Sequence, residues 1–208
     1  MQQVIDFFIA PYVEASSFDI ALEVFAAFFG VISVYFARKG NILVYPTGII
    51  NTGIYIYITL MVGYLGDFII NIYYTIMSVY GWILWSNITE STQLKIEWAS
   101  KKDWLWTFLI MIFTILFVTV IYLYFDMFYD WTNYGDILTS GFAFGSMYLM
   151  AKKRIENWLG WMLTNIISVP LYFAKGLGFT GIQFIIFLIL AVQGYYLWKK
   201  SVGKVRVD

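Results

Sequence analysis

Long apolar runs alternate with short polar breaks along this chain, and the runs share one length. Seven predominantly apolar stretches occupy about 18–37, 41–62, 66–87, 104–125, 134–151, 155–174 and 178–199. A helix rises about 1.5 Å per residue and a bilayer's hydrocarbon core is about 30 Å thick, so roughly 20 such residues predict a spanning helix. Cores such as TFLIMIFTILFVTVIYLYF (107–125) and GIQFIIFLILAVQGYYLW (181–198) contain no charged residue. The fifth run is the shortest. The start, MQQVIDFFIAPYVE, is too short to span, is closed by Pro11 and lacks the basic region of a signal peptide. It predicts a short interfacial helix within 1–17.

The breaks between runs carry the charge, and they sort by sign. Arg38 and Lys39, then Lys95, Lys101 and Lys102, then Lys152, Lys153 and Arg154, then Lys199, Lys200, Lys204 and Arg206 fall on one side of the predicted membrane. The other side has only Lys175 among its basic residues, and it carries Asp126, Asp130 and Asp136. Basic loops mark the cytoplasmic face, which predicts an outer N-terminus and a cytoplasmic C-terminus. Trp82, Trp85, Trp104, Trp106, Tyr195, Tyr196 and Trp198 gather at span ends, where interfacial aromatic belts form.

Composition narrows the chemistry. Of 208 residues, 61% are hydrophobic and 12% charged, about half the charge a soluble domain carries. Thirteen basic residues balance thirteen acidic ones, so there is no basic field for nucleic acid. Histidine and cysteine are both absent. That excludes disulfides, thiol nucleophiles, imidazole bases and the common zinc sites, and no cofactor is expected.

The two ends of the chain resemble each other. Gly-Trp-Ile-Leu-Trp at 81–85 recurs as Gly-Tyr-Tyr-Leu-Trp at 194–198, and Arg38-Lys39 recurs as Lys152-Lys153-Arg154. Asn51 matches Asn165 and Gly63 matches Gly176, within one residue of the same register. Two three-helix units separated by one helix have the same orientation in a membrane. The expected fold is therefore all-α and polytopic, with seven transmembrane helices as two parallel repeats. The repeats are 18–87 and 134–200, joined by a linker with its own helix (88–133) and followed by a tail (201–208).

Substrate sites in repeat-built transporters lie near mid-membrane at the repeat interface. Asn51 and Asn165 sit at the centres of spans two and six, where an amide needs a partner or a wet cavity. Trp158, Trp161, Asn165, Ser168 and Tyr172 are spaced by three or four residues and share one helical face. An indole beside an amide can stack on a planar ring and grip its polar substituents, and a cationic ring gains cation–π attraction. Tyr55, Asn71, Tyr74 and Gln183 are further candidates, each equally able to join two helices by a hydrogen bond. Pro46 and Pro170 mark bends that suit gate hinges. Glu23 and Asp67 lie near the outer surface and no span has a central carboxylate, so downhill transport is expected rather than proton-driven transport.

The string ENWLGWMLTNIISVPLYFAKGLGFTGIQFIIFLILAVQGYYLWKK (156–200) resembles the C-terminal repeat of the nicotinamide riboside transporter (PnuC) family. Its marks are Trp-x-x-Trp-x-x-x-Asn, Ser-(Ile/Val)-Pro-Leu-Tyr, a Lys-Gly pair and Tyr-x-x-Trp, with a looser match over 22–85. The resemblance implies a three-plus-one-plus-three fold similar to the SWEET sugar carriers, in homotrimers of the bacterial inner membrane with one pathway per subunit. It implies facilitated diffusion of nicotinamide riboside, trapped by cytoplasmic phosphorylation, with Trp158, Trp161 and Asn165 contacting the vitamin. Relatives carrying thiamine or riboflavin, and sugar carriers of the same fold, are the alternatives.

Overall fold

The computed structural model describes residues 7–10, 13, 15–62, 65–86, 94–126, 128 and 130–204. Most of the expected interfacial segment, together with Pro11, Gly63 and Arg206, lies outside those residues, as do the side chains of Asp67 and Lys204. Among the described residues are seven long helices: α1 (Ser17–Arg38), α2 (Val44–Val62), α3 (Leu65–Ser86), α4 (Lys101–Tyr124), α5 (Trp131–Ala151), α6 (Asn157–Ala174) and α7 (Gly178–Lys204). Side-chain caps set the starts of α1, α4 and α5. Ser100 accepts from the Asp103 backbone while Asp103 reaches back to the Ser100 backbone, so α4 begins three residues before its apolar run. Asp130 and Asn133 form the same reciprocal cap, which starts α5 at Trp131 rather than 134.

Successive helices run up and down. The C-terminal ends of α1, α3, α5 and α7 meet: Trp85 reaches Ala151, and Trp198 reaches Ala37. Arg154 joins them to the start of α4 through Asp103 at 2.9 Å. This basic end collects Arg38, Lys152, Lys153, Arg154 and Lys199, in keeping with the alternation of charge in the sequence. At the opposite end Lys175 pairs with Asp136 at 2.6 Å, and Tyr122 donates to the same carboxylate. Phe7 and Phe8 pack there against Phe173 and Phe179.

Among the described residues, four helices are long and apolar enough to cross a membrane on composition alone: α1, α3 from Phe68, α4 and α7 to Val202. The other three, α2, α5 and α6, have 19, 21 and 18 residues but carry the small and polar groups. In α5 these groups serve packing, because 13 of its 21 residues are buried. A Cβ on Gly141 would meet Ile115 at 2.7 Å, and one on Gly145 would meet Met111 at 2.8 Å. The pair Gly141-x-x-x-Gly145 therefore seats α5 against α4, as small residues do between membrane helices. The shortest apolar run thus becomes the most enclosed helix.

Neighbours in sequence pack together within α1–α2–α3 and within α5–α6–α7, and α4 packs on α5. The two triplets meet where α1 touches α7 and where α3 touches α5. Their first connections are built alike at an offset of 113 residues. Gly40 and Lys153 both have positive φ, at 63° and 53°. Asn41 donates to Phe36 O as Arg154 donates to Leu149 O, and Tyr45 donates to Ile42 O as Trp158 donates to Ile155 O. In this register Asn165 corresponds to Thr52, and Asn51 to Thr164. One residue turns a helix by about 100°, so the two asparagines face differently and are not symmetry mates. That corrects the matched pair suggested by the sequence.

Candidate substrate site

Asn165 occupies the middle of α6 and is 3% exposed. Its amide makes no hydrogen bond to any described residue, although a buried amide costs free energy unless paired. One turn nearer the basic end, Trp161 lies 6.4 Å from the ring of Tyr74 on α3, tilted by 49°. Tyr74 in turn is 5.8 Å from Phe144 of α5. Behind it, Tyr73 stacks on Phe144 at 3.7 Å and 4°, and its hydroxyl donates to Phe144 O at 2.9 Å. This fixed pair is a wall: its outer side lines an apolar groove of about 500 Å³ between α3 and α4, and it also contacts Tyr74. Three helices thus bring aromatic rings together one turn from Asn165 along α6.

The remaining predicted residues fall into other groups. Asn51 donates to Ala26 O at 2.8 Å across α1 and α2. A Cβ on Gly30 would come 2.9 Å from that amide nitrogen and 3.4 Å from Gln183 Nε2. Gly30 therefore lets two amides, from α2 and α7, converge on α1. Tyr172 stacks on Phe184 at 4.8 Å, with the Lys175 ammonium 5.7 Å from its ring, so it belongs to the end opposite the basic one. Tyr55 and Asn71 have partly buried side chains, and their carbonyls accept from Thr59 and Thr75.

Trp158 belongs to the buried aromatic cluster against which Trp161 packs. It is 1% exposed, packs edge-on to Trp198 at 5.5 Å and lies against Gly194, where a Cβ would approach to 2.6 Å. The structure places it in the aromatic core at the basic end, with its indole N–H buried and without a partner among the described residues. Sequence reading missed Tyr73, Phe144 and Gly30. Tyr73 and Phe144 were hidden because an aromatic residue in an apolar run carries no signal of depth. Gly30 gains meaning only when two other helices arrive.

A sequence model described as the nicotinamide mononucleotide transporter family matches residues 20–200. The chain belongs to this family. Among curated relatives, the nicotinamide riboside transporter PnuC of Escherichia coli is 23% identical over 90% of this chain and 89% of its own length. The riboflavin/roseoflavin transporter RibM of Streptomyces davaonensis is 30% identical over a shorter stretch, 33% of this chain and 32% of its own. A crystal structure of the vitamin B3 transporter PnuC superposes with a TM-score of 0.68 at 21% identity, covering 97% of this chain and 90% of that one. That likeness is one of fold. The family's transporters are multi-pass membrane proteins, and the apolar helices described above fit that class.

Proposed function

We propose that this transporter carries nicotinamide riboside down its gradient through a site built on Tyr74, Trp161 and Asn165. The observation that carries the reading is the buried Asn165 amide, unpaired among the described residues and lying one turn from an indole that faces a tyrosine. Nicotinamide riboside is a flat cationic ring bearing a carboxamide. Its ring gains stacking and cation–π attraction from Trp161 and Tyr74, and its carboxamide offers Asn165 both a donor and an acceptor. Asn51 and Gln183 converge on Gly30, at a place suited to a second polar contact such as the ribose, with Tyr55, Asn71 and Tyr172 as path-lining candidates. Trp158 then acts as the floor beneath Trp161.

The buried polar groups within the helices are mostly hydroxyls and amides, such as Thr52, Ser78, Thr114, Ser146 and Ser168. The buried acids Asp103 and Glu156 are held at the basic end by Arg154 and the Ala99 backbone N–H. A site of neutral groups favours facilitated diffusion. In this reading the seven helices are spans arranged three-plus-one-plus-three as in SWEET carriers, with repeats at 18–87 and 134–200 and a linker at 88–133. The matching connections 113 residues apart support the repeat. The basic end faces the cytoplasm, the N-terminus lies outside, and three subunits form a trimer in the bacterial inner membrane.

The test is uptake of labelled nicotinamide riboside into proteoliposomes, with thiamine and riboflavin as competitors. Saturable uptake that unlabelled nicotinamide riboside competes most strongly supports the reading. Uptake competed best by riboflavin would move the substrate to that of the RibM relative.

A further inference from the structure

Four aromatic rings close the basic end of the bundle. Tyr45, Trp85, Trp198 and Trp158 stand in series, with ring centroids 5.0, 6.2 and 5.5 Å apart. None is more than 7% exposed. The series passes from α2 and α3 to α7 and α6, so each half of the molecule supplies two rings. Trp85 and Trp198 meet between the halves.

Two hydrogen bonds hold these rings in place, and each crosses from one half to the other. Trp85 of α3 donates its indole N–H to Ala151 O in the last turn of α5, at 3.1 Å. Trp198 of α7 donates to Ala37 O in the last turn of α1, at 3.2 Å. The helix pairs α3–α5 and α1–α7 are where the halves pack together. Each of these interfaces therefore has one indole bond at its basic end. Carbonyls in a helix's last turn lack the full set of intrahelical donors and keep a lone pair for an indole or a water, as Ala37 O does while also accepting from the Gly40 backbone N–H at 2.9 Å.

These rings lie in the buried cluster where the two halves meet at the basic end. We propose that Trp85 and Trp198 form the gate of the transport path at the basic end, with each indole N–H acting as a releasable clasp. The proposal rests on the transporter reading above. Closure is balanced rather than permanent. Tyr45 Oη and Trp158 Nε1 lie in the same plug, buried and without a partner among the described residues, which raises the free energy of the closed form. Opening exchanges two indole–carbonyl bonds for water contacts and lets water reach the two unsatisfied atoms. Gly81 and Gly194 give the inner rings flat berths, since a Cβ there would come 2.4 Å from Tyr45 and 2.6 Å from Trp158.

The chain has no cysteine, so a single reporter thiol can be introduced. Met147 lies one turn before Ala151 in α5 and is 5% exposed. Met147→Cys should react slowly with a water-soluble maleimide in the intact background. Trp85→Phe and Trp198→Phe keep a ring and remove the donor. Each should speed labelling by about fivefold, and the double change by roughly twentyfold, if each bond has the usual net strength. Trp106→Phe, whose indole is 48% exposed, should leave the rate unchanged. Unchanged labelling in both single variants and the double overturns the gate. Labelling needs no substrate, so that result leaves the transport reading standing. Faster labelling without nicotinamide riboside uptake keeps the gate and removes the substrate reading. If the phenylalanine variants do not fold, hydrogen exchange in the intact chain decides: two slowly exchanging indole protons that respond together support the gate. Fast exchange at all nine tryptophans overturns it.

Discussion

The two halves carry the same frame with different contents. In the first, Tyr45 lies on Gly81 and packs edge-on to Trp85; in the second, Trp158 lies on Gly194 and packs edge-on to Trp198. Three residues further on, the first half has Gly48 and the second Trp161; after four more, the first has Thr52 and the second Asn165. Gly48 lets Ser33 approach closely, since a Cβ would meet its hydroxyl at 3.1 Å, and Thr52 shares a 2.7 Å hydrogen bond with Thr75. Packing has used up the first half's positions. In the second half an indole remains, with an amide that makes no hydrogen bond to any described residue. On the proposed reading, only this half supplies the ring site.

The largest expected effect tests that asymmetry directly. Asn165→Ala should weaken nicotinamide riboside binding about tenfold to a hundredfold, the cost of about 1–3 kcal/mol for leaving a buried substrate group unpaired. Trp161→Ala should weaken binding by a similar factor through lost stacking and cation–π attraction. Thr52→Val breaks the bond to Thr75, costing about 1 kcal/mol of stability, and should leave affinity within about twofold. Titration calorimetry on detergent-solubilised protein compares the three. Equal losses from Asn165→Ala and Thr52→Val would mean that the halves are not divided in this way.

The glycine berths come next. Gly81→Ala and Gly194→Ala each force a Cβ into a ring, at 2.4 and 2.6 Å, so both should destabilise the bundle by about 1–3 kcal/mol. Their effects on binding should differ. Gly194→Ala displaces Trp158, one turn from Trp161, whereas Gly81→Ala displaces Tyr45 in the half without the open amide. Thermal unfolding should therefore rank the two as similar, while calorimetry separates them. A Gly81→Ala protein with the larger affinity loss would reverse the assignment of the site to the second half.

These contrasts explain which parts of the molecule the sequence made legible. Run length and the sign of the loop charges suffice for seven helices and a basic end, because hydrocarbon thickness and charge exclusion act on every residue of a span. The likeness of Gly81–Trp85 and Gly194–Trp198 was visible, and in both segments the glycine seats a ring and the tryptophan donates to a backbone carbonyl. The pairing of Asn51 with Asn165 failed by one residue, since matching letters do not reveal helical phase. The connections reveal it, as Gly40 and Lys153 take the same left-handed turn. Trp158 read from its spacing as one of the face residues with Trp161 and Asn165, and its packing against Gly194 shows only in three dimensions. The role of α5 was hardest to read, since small residues depress hydropathy for the same reason that they permit close contact.

The smallest expected effect lies in that turn, where one conformation is served by two unlike residues. Gly40 has φ of 63° and pays no Cβ penalty there, so Gly40→Ala should cost about 1–2 kcal/mol. Lys153 has φ of 53° and does pay it, which makes Lys153→Gly a gain of about the same size on backbone grounds. The lysine has a compensating contact, because its ammonium lies 4.3 Å from the Trp85 ring centroid, an attraction of about 0.5–1 kcal/mol. Burial lowers the Lys153 pKa from the usual lysine range, so part of that attraction is offset by lost hydration. The backbone gain in Lys153→Gly exceeds the contact it loses, so its unfolding temperature should rise modestly above that of the parent while Gly40→Ala falls. Lys153→Met separates them, since it keeps the strained backbone and removes only the charge. Because the folded-state pKa is the lowered one, the intact chain should gain stability as pH rises toward the ordinary lysine range, and Lys153→Met should lose that increment. An identical rise in both proteins would place the pH response elsewhere.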